Sequence, residues 1–430
     1  MDLFPYQETG RDFLANRKVA GLFDGMRLGK TRQLLEAAKK IGANDIAVVA
    51  KASGVYVWEQ EALEAGFNPI ILKSKDKPLP NRFNIMSYNA LSSQLHGKLL
   101  KKGFDLVAGD ESDAFKNHKA KRTKAFYGAR MDRKGGLSGV AEYVWIMTGT
   151  PVLNDPTELW PALHALFPDA IATRSGEPMS YWQFVATYCT TIDNGFGMQI
   201  TGGRNLDKLR DQLRGRILRR TKEQVWKDWK KTTLSLLPVE GKITGIPGEE
   251  MEAVRKALAD KDIVNALKSV AEQAPTLRRL TGMAKVDGVT EWVHDNIEQA
   301  GKIIVFAHHR PVVAALEEKL KGKSVTIKGG MSSEEKRNAY TAFQEDDSVK
   351  YCIGQNQAAR DSIPLWKSSI TVSVEPDWTP GNNDQMMDRM AYFDKKEPCN
   401  GYFAMLRGSI DETIQKALLR KKDVTNQLGL

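Results

Sequence analysis

The sequence predicts an α/β fold built on parallel sheets in two blocks, and three observations carry that expectation. Short apolar, β-branched runs recur along the chain, amphipathic stretches lie between them, and a long interval of different character separates an earlier set from a later one. The runs are IAVVA (46–50), FNIMS (83–87), FDLVA (104–108) and YVWIM (143–147), then KIIVF (302–306), SVTI (324–327), ITVSV (370–374) and YFAML (402–406). They are short and mostly continuous in apolar character, as strands covered on both faces are. TRQLLEAAKKI (31–41), PVVAALEEKL (311–320) and SEEKRNAYTAF (333–343) lie between them and read as helices. Strand and helix in alternation give a parallel sheet with helices on both faces.

Residues 151 to about 300 look helical and loop-rich, and LLPVEGKITGIPGEE (236–250), dense in Gly and Pro, breaks the periodicity. The expected division is therefore an N-terminal lobe over 1–237 with a helical insertion, a linker over 238–250 and a C-terminal lobe over 251–430. A chain of 430 residues is long enough for two such cores.

Charged residues at 27% and hydrophobic ones at 41% are ordinary globular values, which excludes a disordered or collagenous chain. The excess of 63 Lys and Arg over 53 Asp and Glu leaves a net charge of +10, which permits a polyanionic partner without naming one. Cys189, Cys352 and Cys399 lie far apart, with no CxxC pair. That spacing argues against a disulfide framework or a structural zinc site and fits a reducing cytosol. The start, MDLFPYQETG, lacks the basic and apolar segments of a signal peptide, and no window approaches a membrane span. A cytoplasmic protein is expected.

LFDGMRLGKT (22–31) follows an apolar stretch and opens a helical pattern. Such a turn can wrap a phosphate in backbone N–H groups supplied around Gly25 and Gly29, bring Lys30 to the β- and γ-phosphates and offer the Thr31 hydroxyl to Mg²⁺. The strict G-x-x-x-x-G-K-T pattern is not met, because Asp24 holds its first position, and a phosphate-free loop is the alternative. FDLVAGDESDAFKN (104–117) supplies a candidate partner, an apolar strand ending in Asp110-Glu111. Asp110 suits the metal shell and Glu111 suits the base that polarises the attacking water, although an acidic pair at a strand end can equally cap the next helix.

Basic runs occur at KLLKK (98–102), KNHKAKRTKAFYGAR (116–130), RGRILRR (214–220) and LLRKK (418–422), each readable as a solvated face or as a phosphate-contacting surface. Trp182, Trp226, Trp229 and Trp366 could stack on bases or fill the core.

In order along the chain, these motifs resemble the SNF2 family of superfamily 2 helicase-like ATPases. LFPYQETGRDFL (3–14) resembles its adenine-recognition segment, which implies that Gln7 reads the adenine edge. DGMRLGKT (24–31) is similar to the family's DEMGLGKT, and VVAKASGVYVWEQEA (48–62) and MSYNAL (86–91) to its motifs Ia and Ib. DESD (110–113) with Lys116-Asn117 stands where the family has DEAH and its trailing KN. MTGTPVLNDPTELWPAL (147–163) and ILRRTKEQV (217–225) with Leu237-Pro238 match further family segments. LTGMAKVDGVTEWV (280–293), KIIVFAHHRPVVAALEEKL (302–320) and KGGMSSEEKRNAYTAF (328–343) continue the order in the second lobe. FVATYC (184–189), GGRNLDKL (202–209) and the paired histidines look like the distant subgroup that holds fork-remodelling and annealing enzymes.

The resemblance implies two RecA-like lobes, ATP and Mg²⁺, and a monomeric motor that tracks duplex or branched DNA without reading sequence. It implies ATP contacts from Gln7, Gly25, Gly29, Lys30, Thr31 and Gln385, a metal held by Thr31 and Asp110, and catalysis by Lys30, Asp110, Glu111 and Arg389. DNA backbone contacts are implied for Lys51, Ser53, Ser87, Tyr88, Lys116, Lys119, His308 and Arg310. A nucleoid-associated protein, or one of host cytoplasm if viral, is the matching location. Two departures stand out. AARDSIPL (358–365) has Arg360 and Ser362 where motif V carries glycines, and QMMDRMAYFDK (385–395) has Tyr392 where motif VI carries its second arginine. Gln385, Asp388, Arg389 and Tyr392 are expected on one helical face, with Arg360 compensating for the lost charge. These departures leave open an ATP-binding DNA scaffold with weak hydrolysis; a remodeller that displaces proteins from DNA is a third reading.

Overall fold

The structure, a computed structural model, describes residues 3–52, 54–193, 197–226, 232–243, 274–356, 365–392, 395, 397–412, 414, 415 and 418. Among the described residues two compact units divide the chain, the first ending at Val225 and the second beginning at Trp226.

The first unit is built on a seven-stranded sheet. Its strands are β1 (Val19–Leu22), β2 (Ile46–Ala50), β3 (Pro69–Leu72), β4 (Phe83–Ser87), β5 (Phe104–Gly109), β6 (Ala141–Met147) and, after a two-stranded antiparallel hairpin of β7 (Cys189–Asp193) and β8 (Met198–Gly203), β9 (Ile217–Leu218). The order is β3-β4-β2-β5-β6-β1-β9, with every pairing in it parallel. The apolar runs are continuous because both faces are covered: Ile46, Val48 and Ala50 of β2 pack into one layer with Leu34, Leu35 and Trp58, while Ala47 and Val49 pack into the other with Leu91, Phe126 and Leu163. The first layer holds the helices α1 (Pro5–Ala15), α2 (Lys30–Lys40) and α3 (Val55–Glu64).

The second unit repeats the plan with six strands, β10 (Thr233–Val239), β11 (Ile303–Ala307), β12 (Ser324–Ile327), β13 (Tyr351–Gln355), β14 (Ile370–Ser373) and β15 (Asn400–Leu406), in the order β10-β15-β14-β11-β13-β12, again all parallel. Ile303, Val305 and Ala307 face the helices Ala274–Ala300 and Arg310–Lys319, whereas Ile304 and Phe306 face Phe343, Met386 and Met390.

All eight predicted strands form. The division, however, falls earlier than the Gly- and Pro-rich segment suggests. Residues 233–239 form β10, aligned with β15 from Thr233↔Asn400 to Val239↔Leu406, and Leu237 packs in the second core. Residues 233–237 therefore belong to the second unit rather than to an N-terminal lobe ending at 237. Pro238 is compatible with a strand here because β10 is an edge of its sheet. Residues 244–250 of the expected linker lie outside the described residues. The interval after Pro151 is also not purely helical, since it carries the β7–β8 hairpin, β9 and β10.

Candidate active site

Strands β5, β6 and β1 are consecutive neighbours and run parallel, so their C-terminal ends lie side by side. Beyond β1 comes the loop 23–29, beyond β5 come Asp110 and Glu111, and beyond β6 come Thr148 and Gly149. The carboxyl edge of an open parallel sheet is where α/β folds place their ligands.

Gly29 caps α2 at φ +70°, which favours glycine, and a Cβ on it would lie 2.4 Å from Gln7 Nε2 and displace that side chain. Gln7 is buried. Its Nε2 donates to the Leu28 carbonyl at 3.3 Å and its Oε1 accepts from the Phe4 N–H at 3.1 Å, which seats this side chain directly on the loop. Lys30 Nζ donates to the carbonyls of Asp24 (2.9 Å) and Gly25 (3.3 Å). Burial lowers the Lys30 pKa, with Glu111, Asp110 and Asp24 pulling the other way. Gly149 closes the opposite side: a Cβ there would meet Met26 Cγ at 2.9 Å and Lys30 Nζ at 3.4 Å. Thr31 follows in the first turn of α2.

Asp24, the residue that breaks the strict loop pattern, is 0% exposed. Its Oδ1 accepts from Arg220 Nε at 3.0 Å, its Oδ2 pairs with Arg220 Nη2 and accepts from Gln33 Nε2 at 3.2 Å, and Gln33 Oε1 accepts from Arg220 Nη2 at 2.8 Å. Arg219 Nη1 donates to the Phe23 carbonyl at 2.9 Å. Neither arginine was singled out for this site by the sequence. Both lie in the ILRRTK segment, but 196 residues separate Arg220 from its partner, and no local pattern announces the pairing.

The acidic motif is a crowded one. Asp110 Oδ2 accepts from Trp58 Nε1 at 2.9 Å and Oδ1 from the Glu111 N–H at 3.0 Å. Glu111 sits at φ +49°, a conformation that costs a non-glycine residue about 1–3 kcal/mol. Its Oε2 is buried with no hydrogen-bond partner. Asp113 accepts from Thr148 Oγ1 at 3.2 Å and so ties the β5 loop to the β6 loop. Burial first, and the charge of Glu111 second, push Asp110 up to about 6 and Asp113 up to about 7. Glu61 on α3 rises to about 7 through burial, with Glu64 and Asp110 adding to the effect. Among the described residues no three His, Cys, Asp or Glu side chains converge to hold a metal ion, so the buried, unsatisfied Glu111 oxygen and its acidic neighbours fit a cation held by one or two carboxylates together with phosphate and water, as Mg²⁺ is, and not an all-protein cage.

Several residues expected on a DNA surface have other work. Tyr88 is buried, and its hydroxyl donates to the carbonyls of Asp110 and, at 2.9 Å, Glu111, so it supports the acidic motif instead of facing solvent. Lys116 pairs with Glu158 at 2.9 Å, whose oxygens also accept from Asn154. Ser87 caps the short helix Tyr88–Leu91, accepting from the Ala90 N–H at 3.2 Å. Lys119 is exposed and Lys51 half-buried. Ser53 lies outside the described residues. Trp182 is 63% exposed, whereas Trp366 stacks on Tyr392 with centroids 5.4 Å apart; Trp229 lies outside the described residues.

In the second unit, His308 and His309 follow β11, and Arg310 is exposed at the start of its helix. Glu375, just past β14, accepts from the N–H groups of His308 (2.8 Å) and His309 (2.9 Å) and pairs with His309 Nδ1 at 2.5 Å. Gln385 and Arg389 are both buried. The single helical face expected for Gln385, Asp388, Arg389 and Tyr392 does not form. The α-helix Pro380–Met387 gives way to a 3₁₀ turn over Asp388–Met390, Ala391 is extended, and Tyr392 lies beyond. The Arg389 carbonyl accepts from the Leu365 N–H at 3.1 Å, and Met390 is drawn into the core, which together override the helical spacing. Arg360, Ser362 and residues 419–422 of the last basic run lie outside the described residues. Among the described residues no helix is long and apolar enough to cross a membrane.

Residues 6–252 match the family model for the SNF2-related domain, and residues 284–393 match that for the helicase conserved C-terminal domain. Similar curated proteins include the SWI/SNF-related matrix-associated actin-dependent regulator of chromatin subfamily A-like protein 1 homolog of Caenorhabditis elegans, 29% identical over 453 residues, covering 100% of this chain and 62% of the relative. The Xenopus laevis protein of that name is 28% identical, covering 100% of this chain and 44% of its own. The DNA annealing helicase and endonuclease ZRANB3 of Mus musculus is 25% identical, covering 98% of this chain and 40% of its own. Among solved structures, the Sulfolobus solfataricus SWI2/SNF2 ATPase core in complex with dsDNA aligns with a TM-score of 0.46 at 20% identity, over 100% of this chain and 94% of that one. The chain thus spans between 40% and 62% of the length of these curated relatives.

Proposed function

The chain belongs to the SNF2-related family, and from that membership we propose that it is a DNA-dependent ATPase that translocates on duplex or branched DNA and remodels forks or junctions. The observation that carries the chemistry is the meeting, at one sheet edge, of the Lys30 loop with an acidic motif whose Glu111 keeps a buried oxygen without a partner. Lys30 would neutralise the β- and γ-phosphates, and the N–H groups around Gly25 and Gly29 would hold them in line. Glu111 would accept a proton from the attacking water, the raised pKa of its acidic neighbours marking a site that favours added positive charge. Thr31 and Asp110 would hold Mg²⁺, which when bound supplies charge neutralisation between the phosphates. Gln7 and Gln385 would contact the nucleotide, and Arg389 is the second lobe's candidate for stabilising transition-state charge.

For DNA, the reading rests on exposed cations such as Lys119 and Arg310, with Lys51 and His308 nearer the strand ends, acting on phosphates without sequence readout. Branched substrates are favoured because similarity extends to proteins named annealing helicases. ATP hydrolysis measured without DNA and with single-stranded, duplex, forked and four-way DNA tests this. The expected result is stimulation greatest on forked or four-way DNA; ATP binding with no stimulation by any DNA would replace the motor with a scaffold.

A further inference from the structure

We propose that Arg220 is a positioning residue for the phosphate loop, and that the segment carrying it converts displacement of the chain leaving the first lobe into a change of nucleotide affinity. The inference rests on the ATPase reading and deepens it. Strand β9 does not stop alongside β1. The Gly21 N–H donates to Arg216 O at 3.0 Å, that of Phe23 to Leu218 O at 2.7 Å and that of Gly25 to Arg220 O at 2.8 Å, so the parallel ladder continues up the first half of the loop itself. Side chains repeat the attachment: Arg219 holds the Phe23 carbonyl, while Arg220 holds Asp24, Gln33 and the Tyr6 carbonyl.

A phosphate loop acts through backbone N–H groups at fixed positions, so whatever fixes the backbone sets affinity. Asp24 is buried where the strict pattern has a glycine, and a buried carboxylate requires a counter-charge. That charge comes from the exit segment: among the described residues the first unit ends at Val225, the last residue of the short helix Lys222–Val225 that follows Arg220. The cluster is close-fitted as well, because a Cβ on Gly10 of α1 would fall 1.7 Å from Gln33 Oε1 and 2.7 Å from Arg220 Nη2. The loop therefore keeps its shape only while the exit segment is seated. A load on that segment when DNA engages the second lobe reaches the phosphates through these bonds, and linkage requires nucleotide to change DNA affinity by the same factor.

The test uses the full chain with Arg220→Lys, which keeps the charge but loses the fork, and Asp24→Asn. Thermal unfolding confirms folding, and titration with a fluorescent ATP analogue and Mg²⁺, with and without duplex DNA, gives the affinity. The expected result is that duplex DNA shifts the nucleotide affinity of the native chain, and that either variant binds nucleotide about tenfold more weakly and loses that shift. Affinity and DNA shift equal to the native chain's, or a loss that only tracks the unfolded fraction, would overturn the inference. Because binding is read without turnover, a native chain that binds nucleotide but does not hydrolyse it overturns the ATPase reading and leaves this result standing.

Discussion

Each sheet carries a glutamate just past a central strand, Glu111 after β5 and Glu375 after β14, and the two have opposite fates. Glu375 uses its oxygens on two backbone N–H groups and the ring of His309; burial works to raise its pKa, and these bonds overcome that to hold it below the ordinary carboxylate value. Glu111 keeps a buried oxygen without a partner, in a strained backbone conformation, among acids pushed toward neutral pH. Position in the fold alone does not distinguish a reactive acid from a brace. What distinguishes them is whether the oxygens are already satisfied, and strain without satisfaction is the mark of a site that awaits a charge.

The largest expected effect crosses to the second lobe. Arg389→Ala should lower DNA-stimulated ATP turnover by about 10³–10⁵ with nucleotide binding retained, if Arg389 is the transition-state cation; near-native turnover would move that role elsewhere. Glu111→Gln and Glu375→Gln set the two acids against each other. The first should cost about 10²–10⁴ in kcat with little change in melting temperature. The second should remove about 1–3 kcal/mol from the second lobe's unfolding free energy while leaving kcat at low temperature near native. An exchange of those phenotypes would refute the contrast.

Tyr88→Phe is a finer test. Removing the hydroxyl that holds the Asp110 and Glu111 carbonyls should lower kcat about tenfold without weakening duplex binding. A loss of DNA affinity at unchanged kcat would restore Tyr88 to the DNA surface.

The smallest effect is a difference in pH dependence. Asp110 and Asp113 hold protons in the folded state up to about pH 6 and 7, above their ordinary value of 3.8. The folded chain therefore binds more protons than the unfolded one through that range, and these groups lower stability progressively as pH rises from about 4 to 7. Glu375 lies below its ordinary 4.5, so its contribution is present above that pH and is lost as pH falls through the folded value. Melting temperatures of the native chain and of Asp113→Asn, compared at pH 5 and pH 7.5, should show the native chain losing more stability toward pH 7.5; parallel curves would refute it.

Much of this was legible in the sequence. The eight predicted strands were readable because parallel strands buried on both faces leave continuous apolar runs. Lys30 and Asp110-Glu111 were readable because their chemistry sits at fixed places beside such runs. Of the other seven strands, β1 registered only as the apolar stretch before the Lys30 loop, and β3, β7, β8, β9, β10 and β13 were not predicted; PIIL and IL are too brief and YCIGQ too mixed to signal. The contacts of Asp24 with Arg220, of Tyr88 with the acidic motif and of Glu375 with His309 were not readable, since each joins residues whose partnership is set by tertiary structure. The motif VI spacing misled for a related reason: a buried Met390 and a carbonyl bonded to Leu365 ended the helix that the spacing assumed.

The alignment of β10 with β15 bears on how the protein is made. All seven strands of the first sheet lie between Val19 and Leu218, so that sheet can close while the rest of the chain is still being synthesised. The second sheet cannot. Its edge strand at Thr233–Val239 has Asn400–Leu406 as its neighbour, and until those residues leave the ribosome its backbone edge has no strand beside it and Leu237, which the finished core buries, has nothing to pack on. The nascent chain thus carries a closed first sheet and an unpaired strand edge for the time it takes to add the intervening residues, the interval in which it has most need of a chaperone.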